Sequence, residues 1–266
     1  MKTTIRSLMF VPSKNMMLKK LSRFCAHAFI IDLEDSILDA DKDKALMELV
    51  DYLKNEHTGV YYVRIDRRYF KQQIEALGNL KFEGYVIPKF EGGEEDMAIK
   101  ASIHEKKVIA LIETPLGLAN VEEIVGLGWV SAVAFGAEDY TSVCSMDNSF
   151  EVLQFHKSRI VMFAKAYGKP VYDTPCFCLN DINRARADAR MAVSFGFDGK
   201  LAIHPKMVDL INEAYEIHDV AYMEDIVRRY EASESAVLRI GDQIFEKMHI
   251  ERFKKTIQNL KQQKGG

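Results

Sequence analysis

Short apolar runs alternate with amphipathic segments along the first three quarters of the chain. Eight of these runs are rich in β-branched and aromatic residues and nearly continuous in hydrophobicity, which is typical of parallel strands covered on both faces. The segments between them show helical spacing, as in residues 42–55, where Ala45, Leu46 and Leu49 fall on one face. The eight runs lie at residues 7–12, 27–33, 60–65, 83–88, 107–112, 130–135, 169–174 and 199–204.

This alternation predicts a parallel sheet with right-handed crossovers. Eight strand–helix units in about 205 residues match an α/β fold of the (β/α)8 TIM-barrel type. An open doubly wound sheet is the alternative, but the chain has no G-x-G-x-x-G fingerprint. We therefore predict a barrel over residues 1–205. Residues 206–266 have too little apolar content for a core of their own, so we predict a C-terminal helical extension that packs on the barrel or on a neighbouring subunit.

Composition narrows the class of protein. The formal net charge of −3 gives no electrostatic basis for binding nucleic acid or an anionic membrane. No apolar run approaches the ~20 residues of a membrane span, and the N-terminal segment lacks the apolar core and cleavage site of a signal peptide. Four cysteines in 266 residues do not make a disulfide framework, and Cys176 and Cys178, as C-F-C, lack the usual zinc spacing. We expect a cytoplasmic protein in which all four, including Cys25 and Cys144, are structural thiols.

Two of the apolar runs end on carboxylates. The run 107–112 stops at Glu113, and the run 130–135 is followed by Glu138 and Asp139. In a parallel barrel the carboxyl ends of all strands meet at one mouth, where catalysis takes place. Two carboxylates with waters and substrate oxygens suit Mg²⁺, so we predict that Glu113 and Asp139 bind the metal while Glu138 faces outward. The alternative is that each carboxylate caps the helix after its strand.

Further charged groups lie at the carboxyl ends of the second and third runs. Asp32, Glu34 and Asp35 either orient metal-bound waters or pair with basic side chains inside the barrel. Arg64 can clamp a substrate carboxylate in bidentate fashion or form a salt bridge to Asp32 or Glu34. We favour the substrate role for Arg64 and a supporting role for the three acids.

Three more strand ends add polar groups to the mouth. The N–H groups of Gly136 and Ala137 stand at a predicted helix start and suit a carboxylate. Lys89 either contributes to the anion site or balances the acids around it. His204 has no partner that the sequence reveals, and we interpret it as a structural histidine.

The motifs RSLMFVPS, IIDLEDS, VRI, IPK, ALIETPLGLAN, AFGAEDY, GKPVYDTP and FGFDGKLAIHPKMVDLINEAY run in this order from about residue 5 to residue 215. Together they resemble the citrate lyase β-subunit group of the HpcH/HpaI aldolase family. The resemblance implies a Mg²⁺-dependent barrel enzyme, a trimer or hexamer, that cleaves citryl, malyl or citramalyl thioesters of CoA or acyl-carrier protein. It also implies that Glu113 and Asp139 bind the metal, that Arg64 grips the keto-acid carboxylate, and that Glu34 and Asp35 support the metal waters.

The chain departs from the family pattern at three places. The family's G-K-M-[VI]-D-x-P-H-like tail closes over a neighbouring subunit's site and supplies an acid/base Asp. The corresponding segment here reads G-D-Q-I-F-E-K-M-H, which places Glu246 at the acid/base position. Nearer the barrel, VPG becomes VPS at Ser13 and VRIN becomes VRID at Asp66.

The resemblance implies metal-assisted retro-aldol cleavage, or its reverse, of a 3-hydroxy-3-carboxyacyl thioester to a 2-oxo acid such as oxaloacetate and an acetyl thioester. Glu246 would move the proton, from another subunit of the oligomer. Two alternatives stay open. One is a thioester-independent 2-oxo-acid aldolase, motivated by Ser13 and the altered tail. The other is a relative that binds Mg²⁺ and a keto acid without turnover, motivated by Glu246 and the lost G-K-M.

Overall fold

Eight parallel strands form a closed barrel in which each strand pairs with the next one along the chain and the eighth pairs with the first. The structure is a computed structural model that describes residues 4–55, 58–103, 105–216, 220–233, 235–241 and 243–264. The predicted (β/α)8 architecture is confirmed. The strands are β1 (Ser7–Pro12), β2 (Ala28–Asp32), β3 (Tyr61–Arg64), β4 (Gly84–Ile87), β5 (Lys107–Ile112), β6 (Ala132–Phe135), β7 (Val171–Asp173) and β8 (Gly199–Ala202).

Helices occupy the crossovers between the strands, and three short 3₁₀ turns accompany them at Leu21–Arg23, Asp39–Asp41 and Arg67–Tyr69. The helices up to the end of the barrel are α1 (Asn15–Leu18), α2 (Lys42–Lys54), α3 (Phe70–Leu77), α4 (Glu94–Ser102), α5 (Pro115–Ala119), α6 (Val121–Gly126), α7 (Ala137–Cys144), α8 (Phe150–Ala166), α9 (Ile182–Phe195) and α10 (Pro205–Glu216).

The interior of the barrel is a layered apolar core. Every second residue of a strand points inward, and the inward positions form one buried cluster that includes Leu8, Ile30, Tyr62, Ile109 and Leu201. The same alternation, continued toward the carboxyl ends, turns the inward positions from apolar to charged, because Asp32, Arg64 and Glu113 follow two residues after cluster members. The strand register therefore places these three charged side chains in the top layer of the barrel.

The chain divides into two compact units, residues 5–212 and a second unit that contains residues 213–264 of the described tail. The second unit comprises the end of α10, α11 (Val220–Glu231), an antiparallel hairpin of β9 (Val237–Ile240) and β10 (Gln243–Glu246), and α12 (Lys247–Lys264). The prediction that the tail lacks a core of its own is wrong, because Ile226, Phe245 and Ile250 are buried together. The hairpin brings Phe245 to the helices, which helical periodicity alone did not indicate.

None of the helices in the described residues is long and apolar enough to cross a membrane.

Candidate active site

A cavity of about 410 Å³, called here the mouth cavity, opens at the carboxyl ends of the barrel strands. Its floor is apolar, with Phe10, Leu111 and Leu201 from the barrel interior. Its walls carry charge and a few small residues, and they bring together most of the side chains that the sequence singled out. The wall residues with polar side chains are Asp32, Asp35, Ser36, Arg64, Glu113, Glu138, Asp139 and Thr174.

Glu113 follows β5 directly and is buried, with 1% of its surface exposed. Its Oε1 accepts a hydrogen bond from the N–H of Lys89 at 2.8 Å. Burial, together with the nearby carboxylates of Glu34 and Asp139, raises the pKa of Glu113 to about 8. A buried carboxyl surrounded by other carboxyls is costly to ionise unless a cation balances it. The surroundings of Glu113 therefore fit a bound divalent cation.

Lys89 reaches Glu113 through an unusual backbone conformation. Its φ is +49°, in the left-handed region that residues with side chains rarely adopt. The turn after Pro88 directs the Lys89 N–H at Glu113, while its ammonium group pairs with Glu34 at 2.9 Å. Both polar ends of Lys89 are thus occupied by acids of the site, and the structure places Lys89 as a support of Glu113 and Glu34.

Gly136 leaves room for Glu113 at the end of β6. A Cβ atom at this position would lie 2.6 Å from Glu113 Oε2 and 2.8 Å from Glu113 Cβ, closer than real Cβ contacts come. Only glycine lets the Glu113 carboxyl lie against the strand end at this point. The glycine is therefore required by a close approach of the backbone to an active-site side chain.

The prediction that the N–H groups of Gly136 and Ala137 hold a carboxylate needs correction. The Gly136 N–H donates to the carbonyl of Ile112 at 2.9 Å, and the Ala137 N–H donates to Thr174 Oγ1 at 3.1 Å. Both donors are thus used inside the protein. The first-turn N–H groups of α7 that have no partner among the described residues are those of Glu138 and Asp139, and these remain available to an anion.

Asp139 lies in the first turn of α7 and is half-buried on the wall of the mouth cavity. Its charge is one of the causes of the raised pKa of Glu113, so the two carboxylates are electrostatic neighbours as the sequence suggested. Glu138 is exposed at the rim and accepts a hydrogen bond from Asn148 Nδ2 at 2.8 Å. Its carboxylate is therefore engaged with an exposed side chain at the rim.

Arg64 is fixed by the acids of β2 and the loop after it. Its Nε and Nη2 each donate to one carboxylate oxygen of Asp32, both at 2.7 Å, in a bidentate pair. Its Nη1 lies 2.9 Å from Glu34 Oε2 and 3.2 Å from Asp35 Oδ2, and its guanidinium stands 5.0 Å from the ring centre of Phe10. The salt-bridge alternative for Arg64 is therefore realised, and it orients the guanidinium on the cavity wall.

The acids around Arg64 differ in how readily they ionise, because their pKa values shift in opposite directions. Burial opposes ionisation of Asp32, but the Arg64 guanidinium outweighs it and lowers the pKa of Asp32. Burial prevails at Glu34 and raises its pKa, although Arg64 and Lys89 act in the opposite direction. Asp32 thus stays charged, while Glu34, behind Lys89, is a carboxyl that gains a proton more readily.

Thr174 is a site residue that the sequence analysis missed. It follows β7, is 5% exposed, lines the mouth cavity and fixes the start of α7 through its bond with Ala137. Its position two residues after the inward-facing Tyr172 was the available signal. The partner of Thr174 is 37 residues away in sequence, which no local pattern indicates.

Ser13 and Asp66, the two residues of the barrel that depart from the family pattern, both make hydrogen bonds inside the protein. Ser13 is buried and donates to the carbonyl of Ala45 at 2.8 Å. Asp66 is buried, caps the 3₁₀ turn at Arg67–Tyr69 by accepting from the Arg68 N–H, and pairs with Lys42 at 2.9 Å. Neither residue belongs to the lining of the mouth cavity.

Glu246 and His204 complete the predicted set. Glu246 ends β10 in the second unit, is exposed, and donates its N–H to His249 Nδ1 at 3.0 Å. The aligned segment also contains Asp242, which lies outside the described residues. His204 is half-buried and its Nδ1 accepts the Lys206 N–H at 3.2 Å, which fits a structural histidine.

No group of three or more His, Cys, Asp or Glu side chains in the described part of the chain is arranged to hold a metal ion. The donor set at the mouth is a pair of carboxylates, Glu113 and Asp139. Mg²⁺ keeps several waters and is commonly bound through one or two carboxylates together with substrate oxygens. The pair therefore fits Mg²⁺ better than a metal that needs an all-protein cage.

Comparison with known proteins gives a consistent result. A family model described as HpcH/HpaI aldolase/citrate lyase matches residues 6–205. A citrate lyase subunit beta-like protein of Deinococcus radiodurans is 30% identical over 228 residues, covering 79% of this chain and 80% of its own. A (3S)-malyl-CoA thioesterase of Cereibacter sphaeroides is 26% identical, covering 95% of this chain and 93% of its own. The citrate lyase beta subunit of Mycobacterium tuberculosis, solved with oxaloacetate and magnesium, superposes with a TM-score of 0.69 at 25% identity and covers 80% of this chain and 97% of its own.

Proposed function

Because the chain belongs to the HpcH/HpaI aldolase/citrate lyase family, we propose that it is a Mg²⁺-dependent carbon–carbon lyase. The proposed reaction is the retro-aldol cleavage, or its reverse, of a 3-hydroxy-3-carboxyacyl thioester to a 2-oxo acid such as oxaloacetate and an acetyl thioester. The observation that carries the proposal is the mouth cavity itself, where Glu113 and Asp139 face a guanidinium held by Asp32.

Glu113 and Asp139 are the residues that would hold the metal. When bound, Mg²⁺ supplies positive charge that stabilises an oxygen of the substrate as the carbon–carbon bond changes. Glu113 must release its proton to serve as a ligand, since its pKa is raised to about 8. The Lys89 N–H keeps one Glu113 oxygen oriented during this change. Gly136 keeps the space that the carboxyl occupies.

Arg64 and the start of α7 would hold the substrate carboxylate. Arg64 uses Nε, Nη1 and one N–H of Nη2 for the acids behind it, which leaves a second N–H on Nη2. The N–H groups of Glu138 and Asp139 add two backbone donors at the same cavity. These donors orient a carboxylate without the mobility of a lysine side chain, and the apolar floor excludes water below the reacting carbon.

We assign the proton transfer to Glu246 of a neighbouring subunit in a homotrimer or hexamer. The assignment rests on the family alignment, on the exposure of Glu246 and on its position at the end of β10. A carboxylate that approaches from a second chain can take the proton of the substrate hydroxyl as the carbon–carbon bond breaks and return it to the enolate carbon. The second chain, in closing over the mouth of the barrel, would also enclose the thioester of CoA or acyl-carrier protein.

Thioester hydrolysis is the second candidate, because a malyl-CoA thioesterase aligns with nearly the whole chain. That reaction breaks the thioester bond and leaves the hydroxy acid intact, whereas the lyase breaks a carbon–carbon bond and leaves the thioester intact. The thioester-independent aldolase has less support, since Ser13, which together with the altered tail motivated it, is hydrogen-bonded to Ala45 within the protein and lies outside the cavity lining.

The test is product analysis by mass spectrometry with citryl-, malyl- and citramalyl-CoA and with the free hydroxy acids, each with Mg²⁺ and with a chelator, beside calorimetry with oxaloacetate. We expect an acetyl thioester and a 2-oxo acid from one of the three, and no reaction with the chelator. Free CoA with an intact hydroxy acid would establish hydrolysis instead. Turnover of free hydroxy acids alone would support the thioester-independent aldolase. Keto-acid binding without turnover of any thioester would support the non-catalytic relative.

Two variants sharpen this test. Arg64→Lys keeps the charge but loses the planar bidentate pair with Asp32, so we expect the KM for the substrate to rise at least tenfold. Glu123→Gln is the matched control, because Glu123 is an exposed acid on α6 outside the cavity lining and its substitution should leave the kinetics unchanged.

A further inference from the structure

Cys176 and Cys178 lie on the loop between β7 and α9 with their sulfur atoms 3.2 Å apart. The Cys176 thiol donates toward Cys178 Sγ, and the Cys178 N–H donates to Cys176 Sγ at 3.4 Å. Phe177, the residue between them, is half-exposed and lines the mouth cavity. The function proposed above uses neither thiol, so this close pair is unexplained by it.

A second cavity of about 430 Å³, called here the side cavity, gives small molecules access to the pair. Cys176 and Cys178 both line it, and it shares Thr174, Pro175 and Phe177 with the mouth cavity. The loop is therefore a wall between two spaces, with the sulfur atoms on one side and the candidate active site on the other.

The loop is fixed at both ends. At its start, Thr174 accepts the N–H at the beginning of α7. At its end, Asp181 caps α9 by accepting the Arg184 N–H at 2.9 Å. A covalent change within the loop is thus confined to residues 175–180, and it moves the part that carries Phe177.

The two thiols differ in reactivity. Cys176 is 7% exposed, and burial together with its bond to Cys178 raises the pKa of its thiol to about 11. Cys178 is more exposed and can meet a reagent in the side cavity. Since the thiolate is the reactive form and access controls the first attack, Cys178 is the attacking sulfur and Cys176 the resolving one.

We propose that Cys176 and Cys178 form a redox site that a low-molecular-weight disulfide oxidises, and that this oxidation alters the wall of the mouth cavity. Cys178 attacks one sulfur of the oxidant as a thiolate, and the other half of the oxidant leaves as a thiolate. Cys176 then loses its proton to solvent, attacks Cys178 Sγ and releases the second half. Two protein thiols and one small disulfide become one protein disulfide and two small thiols.

Bond formation requires the two sulfur atoms to move closer than 3.2 Å, and the backbone of Phe177 is the one segment of chain that links the two cysteines. The Phe177 ring therefore shifts on the side of the mouth cavity. A disulfide closed over a single intervening residue is strained and easily reduced, so the site responds reversibly to the thiol–disulfide balance around the protein.

Mass spectrometry of the intact protein after incubation with oxidised glutathione tests the redox site. In the digest of the wild type, the peptide that contains residues 176–178 is expected to carry the crosslink and to have lost the mass of two hydrogen atoms. Cys176→Ser is expected to retain one glutathione on Cys178. Cys25→Ser, which removes an exposed thiol elsewhere, should form the crosslink as the wild type does. Stable glutathione adducts on the wild type without loss of hydrogen would overturn the proposal.

Calorimetry with Mg²⁺ and oxaloacetate tests the effect on the cavity, and this part rests on the proposed function. Oxidation is expected to change the wild-type affinity at least threefold, reversibly with dithiothreitol, and to leave Cys178→Ser unaffected. Equal affinities in the oxidised and reduced wild type would overturn the coupling. If the reduced protein binds no oxaloacetate, the proposed function fails while the mass measurement still decides the redox site.

Discussion

Replacing Asp66 by asparagine should destabilise the barrel without touching the mouth cavity. The Asp66 carboxylate is buried and is held by Lys42 Nζ at 2.9 Å and Arg68 Nη2 at 2.8 Å. These cations lower the pKa of Asp66 from its ordinary 3.8 to about 2, although burial opposes them. Lys42 is itself 6% exposed, so the substitution leaves a buried ammonium that is held by neutral oxygens, among them the carbonyls of Leu33 and Glu34, in place of a carboxylate.

The size of the expected stability loss follows from the lowered pKa of Asp66. One pKa unit corresponds to about 1.4 kcal/mol, so the lowered value represents at most about 2.5 kcal/mol of stabilisation at neutral pH. The Arg68 side chain is 58% exposed, and water screens its part of the interaction. We therefore expect Asp66→Asn to lower the free energy of unfolding by about 1–2 kcal/mol at pH 7. Lys42 and Arg68 thus supply the positive charge that balances the buried acid.

Urea denaturation of the wild type and Asp66→Asn at several pH values measures this difference. Because the folded pKa is the lower one, the stabilisation is complete above about pH 4, falls to about half at pH 3 and is lost toward pH 2. Asp39→Asn is the matched control, since Asp39 is the exposed partner of the same Arg68 and should change stability little. Equal stability of Asp66→Asn and wild type at pH 7, or a difference that persists undiminished at pH 3, would refute the reasoning.

Three further substitutions probe the site and the scaffold behind it. Gly136→Ala puts a Cβ atom 2.6 Å from Glu113 Oε2 and should weaken Mg²⁺ binding at least tenfold in calorimetry; unchanged binding would contradict the packing argument. Thr174→Val removes the hydroxyl that accepts the first N–H of α7, so faster amide hydrogen exchange at the start of α7 and a loss of about 1 kcal/mol are expected, and unaltered exchange would exclude this role. Lys200→Met leaves the buried carboxylate of Asp173 with one cation fewer and should lower the unfolding free energy by about 3–5 kcal/mol in denaturant titration, whereas wild-type stability would show that the ion pair is dispensable.

Strand periodicity was sufficient to predict the barrel and the gathering of Asp32, Arg64 and Glu113. Each of these residues continues the inward-facing positions of its strand, and parallel strands bring their carboxyl ends together. Asp139 followed from the same argument, one turn into α7. Local patterns therefore identify which side chains reach the mouth, because that depends only on alternation and topology.

The hydrogen-bond and salt-bridge partners of the site residues could not be predicted in the same way. The sequence allowed two roles for Arg64, a clamp for substrate or a salt bridge to an acid. The register of β2 against β3 aligns Asp32 with Arg64 and so decides that the two residues pair. The N–H of Ala137 was assigned to substrate because its acceptor, Thr174, comes from a distant strand end. The β9–β10 hairpin was missed because its strands are short and half-exposed, with little apolar alternation.

A buried ion network between the barrel strands and the surrounding helices could not be predicted from the sequence either. Asp173 is the last residue of β7, yet its carboxylate pairs with Lys157 and Lys200 between the sheet and the helices. The inward-facing Tyr172 shows the reason, since its neighbour Asp173 must point the opposite way. A shift of one residue along a strand therefore decides whether a carboxylate points into the barrel mouth or toward the surrounding helices.

The central claim is that Glu113 and Asp139 together hold Mg²⁺ at the mouth of the barrel. Calorimetric titration of Mg²⁺ in the presence of oxaloacetate tests it most directly, with the wild type, Glu113→Gln, Asp139→Asn and the control Glu138→Gln. We predict binding by the wild type and by Glu138→Gln, and no detectable binding by the other two variants. Unchanged Mg²⁺ affinity in both Glu113→Gln and Asp139→Asn would contradict the account.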